Sequence, residues 1–200
     1  MLAKPKYKVC KRLGNGVYEK CQTQKFALSE ARAKKTFKRR RNLSDFGRQL
    51  IEKQKVRYAY GISEKQLRKY VQAAMGSKDP ASELFKGLET RLDNAVYRMG
   101  FAPTRRAARQ MVGHGHITVN DRKMTVPSHA VGSGDTIAVR EGSKEKPVFT
   151  GNAETISAHT APKWIVVDAK KLTAKTKASP EFVASDTTFD LPAVFEFYSR

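Results

Sequence analysis

Three arginines at helical spacing, Arg105, Arg106 and Arg109, carry the most legible chemistry in the chain. Arg105 and Arg109 are four apart, and Arg106 and Arg109 three apart, so their guanidiniums gather on one face of a helix. No acid on that helix answers them. A guanidinium fork matches a pair of phosphate oxygens, which points to a nucleic-acid backbone as the target. His114 and His116 follow in the turn leaving the helix, where a phosphate contact is again expected. Neither has an adjacent nucleophile or orienting acid, which argues against a catalytic pair. Asp93, close to Arg91, is read as structural, because a lone acid has no partner for paired acid–base work.

These residues need a scaffold, and the flanking sequence provides one. Pro103 and Thr104 open the helix, with Thr104 as N-cap. Ala108, Met111 and Val112 fall on its buried side, and Gly113 suits a left-handed C-cap. Ile117-Thr118-Val119, a polar turn at Asn120-Asp121 and the run 124–126 read as a hairpin. A second turn at 132–135 leads to a closing strand at 136–139. The product is a small α+β module with cations on one side.

A net charge of +20 and a pI near 10.1 direct the chain to a polyanion. No apolar run approaches the ~20 residues that span a bilayer, so a membrane partner is not expected. The first ten residues, MLAKPKYKVC, lack the apolar centre of a secretion signal. The charge is uneven. Residues 1–60 hold 18 Lys and Arg against 4 Asp and Glu, whereas residues 141–200 balance. Two zones therefore face the polyanion: the N-terminal third and the central module. The balanced last quarter is assigned to packing or protein contact.

Residues 1–43 show little apolar periodicity, so this segment is expected to order fully only on RNA. Its RNA-facing candidates are Lys4, Lys6, Lys8, Lys11, Arg12, Lys34, Lys35, Lys38, Arg39, Arg40 and Arg41. A first long helix starts at Ser44 as N-cap, with Phe46, Leu50 and Ile51 inward and Gly61 at its end. Its cations Arg48, Lys53, Lys55 and Arg57 join the RNA-facing set. Ser63 and Gln66 form a capping box for the next helix, whose stripe is Leu67, Tyr70, Val71 and Ala74. A third helix opens at Asp79-Pro80 and runs Leu84, Phe85, Leu88, Leu92, Val96 and Met99 as one buried face. Residues 141–165 read as a linker. Short strands are expected at 164–167 and 182–183, and 194–198 is left between strand and helix.

Three separated strings, FGRQLIEKQKVRYAYGISEKQLRKY, RLDNAVYRMGFAPTRRAARQMVGHGHITVN and the terminal EFYSR, occur in an order similar to that of one family. The central string resembles the RNA-binding module shared by ribosomal proteins, some pseudouridine synthases, a heat-shock protein and some tyrosyl-tRNA synthetases. The whole chain resembles small ribosomal subunit protein four, bacterial type. The resemblance implies an α+β fold: a helical domain with an inserted small α/β RNA-binding module and a basic extended N-terminal segment. It implies divisions at 1–43, at 44–90 completed by 156–200, and at 91–155.

It further implies a non-enzymatic constituent of the small subunit, cytoplasmic and ribosome-bound. Such a protein binds the 5′ domain of small-subunit ribosomal RNA at a five-way junction and nucleates assembly of the subunit body. It also touches small ribosomal subunit protein five, lies near messenger RNA where it enters, and supports decoding accuracy. Thr104, Asn120 and Lys123 join the arginines and histidines as RNA-facing residues. The rival readings are an RNA-modifying enzyme carrying this module and a free RNA chaperone. Removing the module leaves two short segments without a catalytic pattern, nor is there a phosphate-cradling glycine run or a Rossmann fingerprint. No cofactor or small-molecule substrate is expected.

The chain departs from the family in two places. The hairpin usually reads Asn-Gly where this chain has Asn120-Asp121, and Asp tolerates positive φ less well, so another turn type is expected. Cys10 and Cys21 match two positions of a four-cysteine zinc site, and the other two positions hold non-ligands. A structural zinc needs about four ligands, so no metal is expected and both thiols are read as reduced.

Overall fold

The computed structural model describes residues 5–32, 44–150, 156, 159–183 and 187–199. The chain divides into two compact units, one from Met1–Ala81 with Val183–Arg200, the other Ser82–Phe182.

The first unit is helical: α1 (Lys6–Leu13), α2 (Gln24–Ala31), α3 (Asp45–Ala59), α4 (Glu64–Met75) and α10 (Leu191–Tyr198). The basic beginning of the chain buries more than its composition promises. Val9, Leu13 and Val17 form a cluster that packs on Ile51 and Tyr58 of α3. A second small cluster gathers Cys10, Cys21 and Phe26, with the Tyr7 ring edge-on to Phe26 at 5.3 Å. Cys10 and Cys21 are joined by a disulfide, so the expectation of two reduced thiols is corrected. A covalent tie and aromatic packing substitute here for the apolar periodicity that the segment lacks.

The helix boundaries follow local chemistry. The Ser44 hydroxyl accepts from Gly47 N, and Ser63 and Gln66 close a capping box. Between them Gly61 takes φ +62°, which no β-carbon obstructs. Residues 191–198 are a helix, capped by Asp190 and carrying Pro192 in its first turn. Its buried apolar anchors are Leu191 and Val194, whereas Phe195 and Phe197 are only partly buried. Phe197 covers the exposed Phe46 ring at 5.5 Å and receives the Lys53 ammonium over its face at 4.2 Å.

Glu64 ties these helices together. It accepts from Lys53 at 2.9 Å, from Arg57 at 3.0 Å and from the Tyr198 hydroxyl at 2.7 Å. Burial works to raise its carboxyl, but those three donors outweigh it and hold the group below the ordinary carboxylate range. Burial, followed by the bond to Glu64, pushes the Tyr198 phenol up. A carboxyl lowered on folding stabilises the unit above its unfolded value, and the contribution disappears as pH falls through the folded value. The stability difference between wild type and Glu64→Gln should therefore shrink on acidification from about pH 7 to pH 3. Urea midpoints across that range check it. A constant difference would show that the carboxylate charge is not what holds α3, α4 and α10.

The second unit sets three helices, α5 (Pro80–Glu89), α6 (Leu92–Arg98) and α7 (Arg105–Gly113), beside one antiparallel sheet. Its strands are β1 (Ile117–Val119), β2 (Arg122–Met124), β3 (Thr136–Val139), β4 (Ile165–Asp168) and β5 (Thr173–Thr176), in spatial order β2-β1-β3-β5-β4. Ile117 pairs with Met124 on one side and Val139 on the other, and Ile137 pairs with Ala174. Leu92, Val96, Met99, Phe101, Val112, Ile117 and Ile137 are among the residues of one continuous core.

Several expectations change here. The single helix expected over 80–99 is two, with α5 and α6 broken at Thr90-Arg91. Arg91 is extended and bridges to Ala130, while Leu92 and Asp93 donate backbone N–H groups to His129 and Pro127. That pairing is incompatible with unbroken helix. The stretch from Trp164 to Thr176, expected to complete the helical domain, instead extends the module's sheet through β5 against β3. The expected linker contains α8 (Glu141–Lys144) and α9 (Pro147–Thr150), and contributes Phe149 and Ile156 to the core. Residues 182–183 form no strand.

Asn120 and Asp121 both take positive φ, +48° and +62°, as a two-residue type I′ loop requires. The turn thus keeps its usual form without glycine. Asn120 Nδ2 donates to Asp135 Oδ1 at 2.8 Å and its Oδ1 accepts from Thr136 N at 2.9 Å, offsetting the strain. Gly113 remains helical. Gly115, at φ +72°, is the left-handed residue, and Lys123 lies where a β-carbon would stand.

Candidate nucleic-acid interface

The arginines of α7 divide between two tasks. Thr104 caps the helix as expected, accepting from Ala107 N at 3.1 Å. Arg109 Nη1 reaches Asp93 Oδ2 at 3.3 Å. The same carboxylate accepts a fork from buried Arg91, Nε to Oδ1 at 3.0 Å and Nη2 to Oδ2 at 2.7 Å. Arg105 Nε donates to Asn94 Oδ1 at 2.7 Å, and its guanidinium lies 4.5 Å from the centre of the Tyr97 ring. Asn94 in turn donates to Glu89, which also accepts a fork from Arg98 at 2.8 and 2.9 Å. Two polar networks, one centred on Asp93 and one on Glu89, thus join α5, α6 and α7. Arg106 is exposed and has no ion-pair or hydrogen-bond partner among the described residues.

The turn from α7 to β1 carries the two histidines. His114 is exposed, and its ring lies 6.0 Å from that of His116. His116 Nδ1 lies 3.0 Å from Ser143 Oγ, and its ring packs edge-on against Phe149. Burial, then the nearby charges of Lys146, His114 and Arg140, hold the His116 imidazole below its ordinary value. It therefore favours the neutral form near pH 7 and offers a hydrogen bond rather than a charge. Lys123 is exposed and its stem passes across Gly115. Asn120 has its amide committed to the hairpin turn, as described. Arg122 and Arg140, both exposed, belong to the same basic surface chemistry but were not singled out from sequence. Their signal was available: each borders a short alternating strand.

In the helical unit the candidates also separate. Lys8 and Arg12 stand exposed, four apart on α1. Lys6 Nζ lies 5.9 Å over Tyr18, and Lys11 Nζ donates to Ser29 O at 3.3 Å. The four α3 cations all have acid partners: Arg48 with Asp45, Lys55 with Glu52, and both Lys53 and Arg57 with Glu64. Lys53 is buried, so its role is internal. Lys4, Lys34, Lys35, Lys38, Arg39, Arg40 and Arg41 lie outside the described residues. No cluster of three or more potential metal ligands occurs among the described residues, and no helix there is long and apolar enough to cross a membrane.

A capped basic helix followed by a basic-edged antiparallel sheet defines an RNA-binding module. Residues 90–137 match the profile of the S4 domain, and residues 1–92 match that of the ribosomal protein S4/S9 N-terminal domain. Small ribosomal subunit protein uS4 of Acetivibrio thermocellus is 40% identical over 199 residues, spanning 96% of each chain. The uS4 protein of Roseiflexus castenholzii is 41% identical over 207 residues, 98% of this chain and 97% of its own. That of Aquifex aeolicus is 41% identical over 166 residues, 81% and 79%. The chain belongs to the small ribosomal subunit protein uS4 family. It is accordingly a structural constituent of the small ribosomal subunit and not an enzyme.

Proposed function

We propose that the chain is a primary binder of small-subunit ribosomal RNA, seated at the junction in the 5′ domain, where it nucleates assembly of the subunit body. In this reading it contacts small ribosomal subunit protein five, lies near messenger RNA where it enters, and supports decoding accuracy. The observation that supports it is the sorting of cations. Arginines joining the helices have acid or amide partners, whereas Arg106, Arg122 and Lys123 are exposed without one among the described residues. Unanswered surface cations on a rigid module suit phosphates held by shape rather than by base sequence.

The test separates the two kinds of arginine. Arg106→Ala should lower the slope of log affinity against log salt by roughly 0.7–0.9, the loss of one counterion-releasing contact. Arg109→Ala should mainly lower stability, through Asp93, with a smaller effect on that slope. Salt titrations of binding to a 5′-domain transcript, with melts recorded alongside, distinguish them. A wild-type slope in a normally folded Arg106→Ala protein would remove α7 from the RNA-facing surface.

A further inference from the structure

We infer that the α7–β1 turn, with Arg140 and Lys146 on either side of α8, seats one backbone phosphate of the bound RNA, and that His116 takes up a proton as the phosphate arrives. The inference rests on the ribosomal-RNA reading above and adds to it a proton-linked site that Arg106 does not share.

Three segments of the Ser82–Phe182 unit converge on the His116 ring. The turn brings His114, whose ring lies 6.0 Å away. The end of β3 brings Arg140, whose backbone N–H donates to His116 O at 2.8 Å. The junction of α8 and α9 brings Lys146, and Lys123 of β2 lays its stem over Gly115. All four side chains are exposed. The charges that act on His116, those of Lys146, His114 and Arg140, are all basic. Of the acids close by in sequence, Glu141 is taken by Lys144 at 2.6 Å, and Glu145 is exposed and not among the charges acting on the ring. The Arg140 guanidinium has no ion-pair or hydrogen-bond partner among the described residues. Basic groups gathered without an acid repel one another, and a phosphate between them replaces that repulsion with attraction.

His116 is held ready to respond. Its Nδ1 lies 3.0 Å from Oγ of buried Ser143, and Phe149 packs edge-on against the ring. Those contacts orient the imidazole and leave Nε2 without a hydrogen-bond partner among the described residues. A serine hydroxyl can donate to a neutral ring or accept from a charged one, so protonation requires no rearrangement. Burial and the basic neighbours keep the ring neutral in the free protein. A phosphate oxygen at Nε2 supplies the negative charge that the cluster lacks and reverses that preference.

Calorimetric titration of the full chain with the 5′-domain transcript, in two buffers of different protonation enthalpy, reads the proton directly. Wild type should take up a measurable fraction of one proton per complex at pH 7. Its affinity should rise about 3- to 10-fold from pH 8 to pH 6. His116→Gln keeps a hydrogen-bonding side chain that does not titrate, and should lose most of the uptake and of the pH dependence. Arg140→Ala alters only an exposed side chain, so it examines the site without disturbing the Ser143 contact. It should lower the slope of log affinity against log salt by roughly 0.7–0.9. Binding of wild type without proton uptake would overturn the inference while leaving RNA binding intact. So would uptake that persists in His116→Gln, or a wild-type slope in Arg140→Ala. Failure of the wild-type chain to bind the transcript at all would instead overturn the RNA reading itself, and this inference with it.

Discussion

Replacing Asp93 with alanine is expected to destabilise the Ser82–Phe182 unit by about 3–5 kcal/mol, the usual cost of stranding a buried charge. The side chains of Arg91 and Asp93 are 1% and 5% exposed, so neither can be rehydrated without opening the core. Loss of the carboxylate leaves the Arg91 guanidinium without its fork and releases Arg109 from α6. The chain contains one tryptophan, Trp164, and it lies in the core of this unit. Its fluorescence therefore reports this unit's unfolding in a urea titration of the whole chain. Asp93→Asn keeps the shape and some acceptor capacity and should cost less than Asp93→Ala. Equal midpoints for wild type and Asp93→Ala would show that the pair does not hold α6 and α7 together.

Opening the Cys10–Cys21 bond should loosen α1 by about 3 kcal/mol, given the short loop it closes, a separation of 11 residues. Cys10→Ala with Cys21→Ala produces the same loss permanently. The effect is local, so it is best read by amide hydrogen exchange. Exchange of residues 9–13 should accelerate roughly a hundredfold on adding a dithiol reductant, and the double variant should show the fast rate with or without it. Rates that ignore both changes would mean that packing of Val9 and Leu13 on α3 alone holds the segment.

What was legible in the sequence was mostly local. Thr104, Ser44 and Ser63 could be read as caps because a cap depends on residues three positions away. The basic character of α7 was equally plain. Spacing told which arginines share a face but not what covers that face, so Arg105 and Arg109 were grouped with Arg106. Their partners Asn94 and Asp93 lie on another helix, 11 and 16 residues distant. The break at Thr90-Arg91 was hidden for the same reason: it is imposed by backbone pairing with residues 127–131, while the side-chain pattern runs on across it. Placing β5 beside β3 required knowledge of a four-residue strand whose pattern is too short to stand out. The cysteine spacing likewise carried no information about whether the two sulfurs approach.

The order in which these pieces leave the peptide exit of a translating ribosome differs from the order in which they can be finished. The unit between Ser82 and Phe182 has all its strands once Thr176 is free, and can close while synthesis continues. The helical unit begins first yet packs α10 against α3, so it waits for residues 191–198. At about 5–20 residues per second, the interval between Ala59 and Leu191 is roughly 7–26 s. For that time the face of α3 that receives α10, Phe46 and Lys53 under Phe197 among it, stands uncovered on a nascent chain, a natural opening for chaperones or for premature RNA contact.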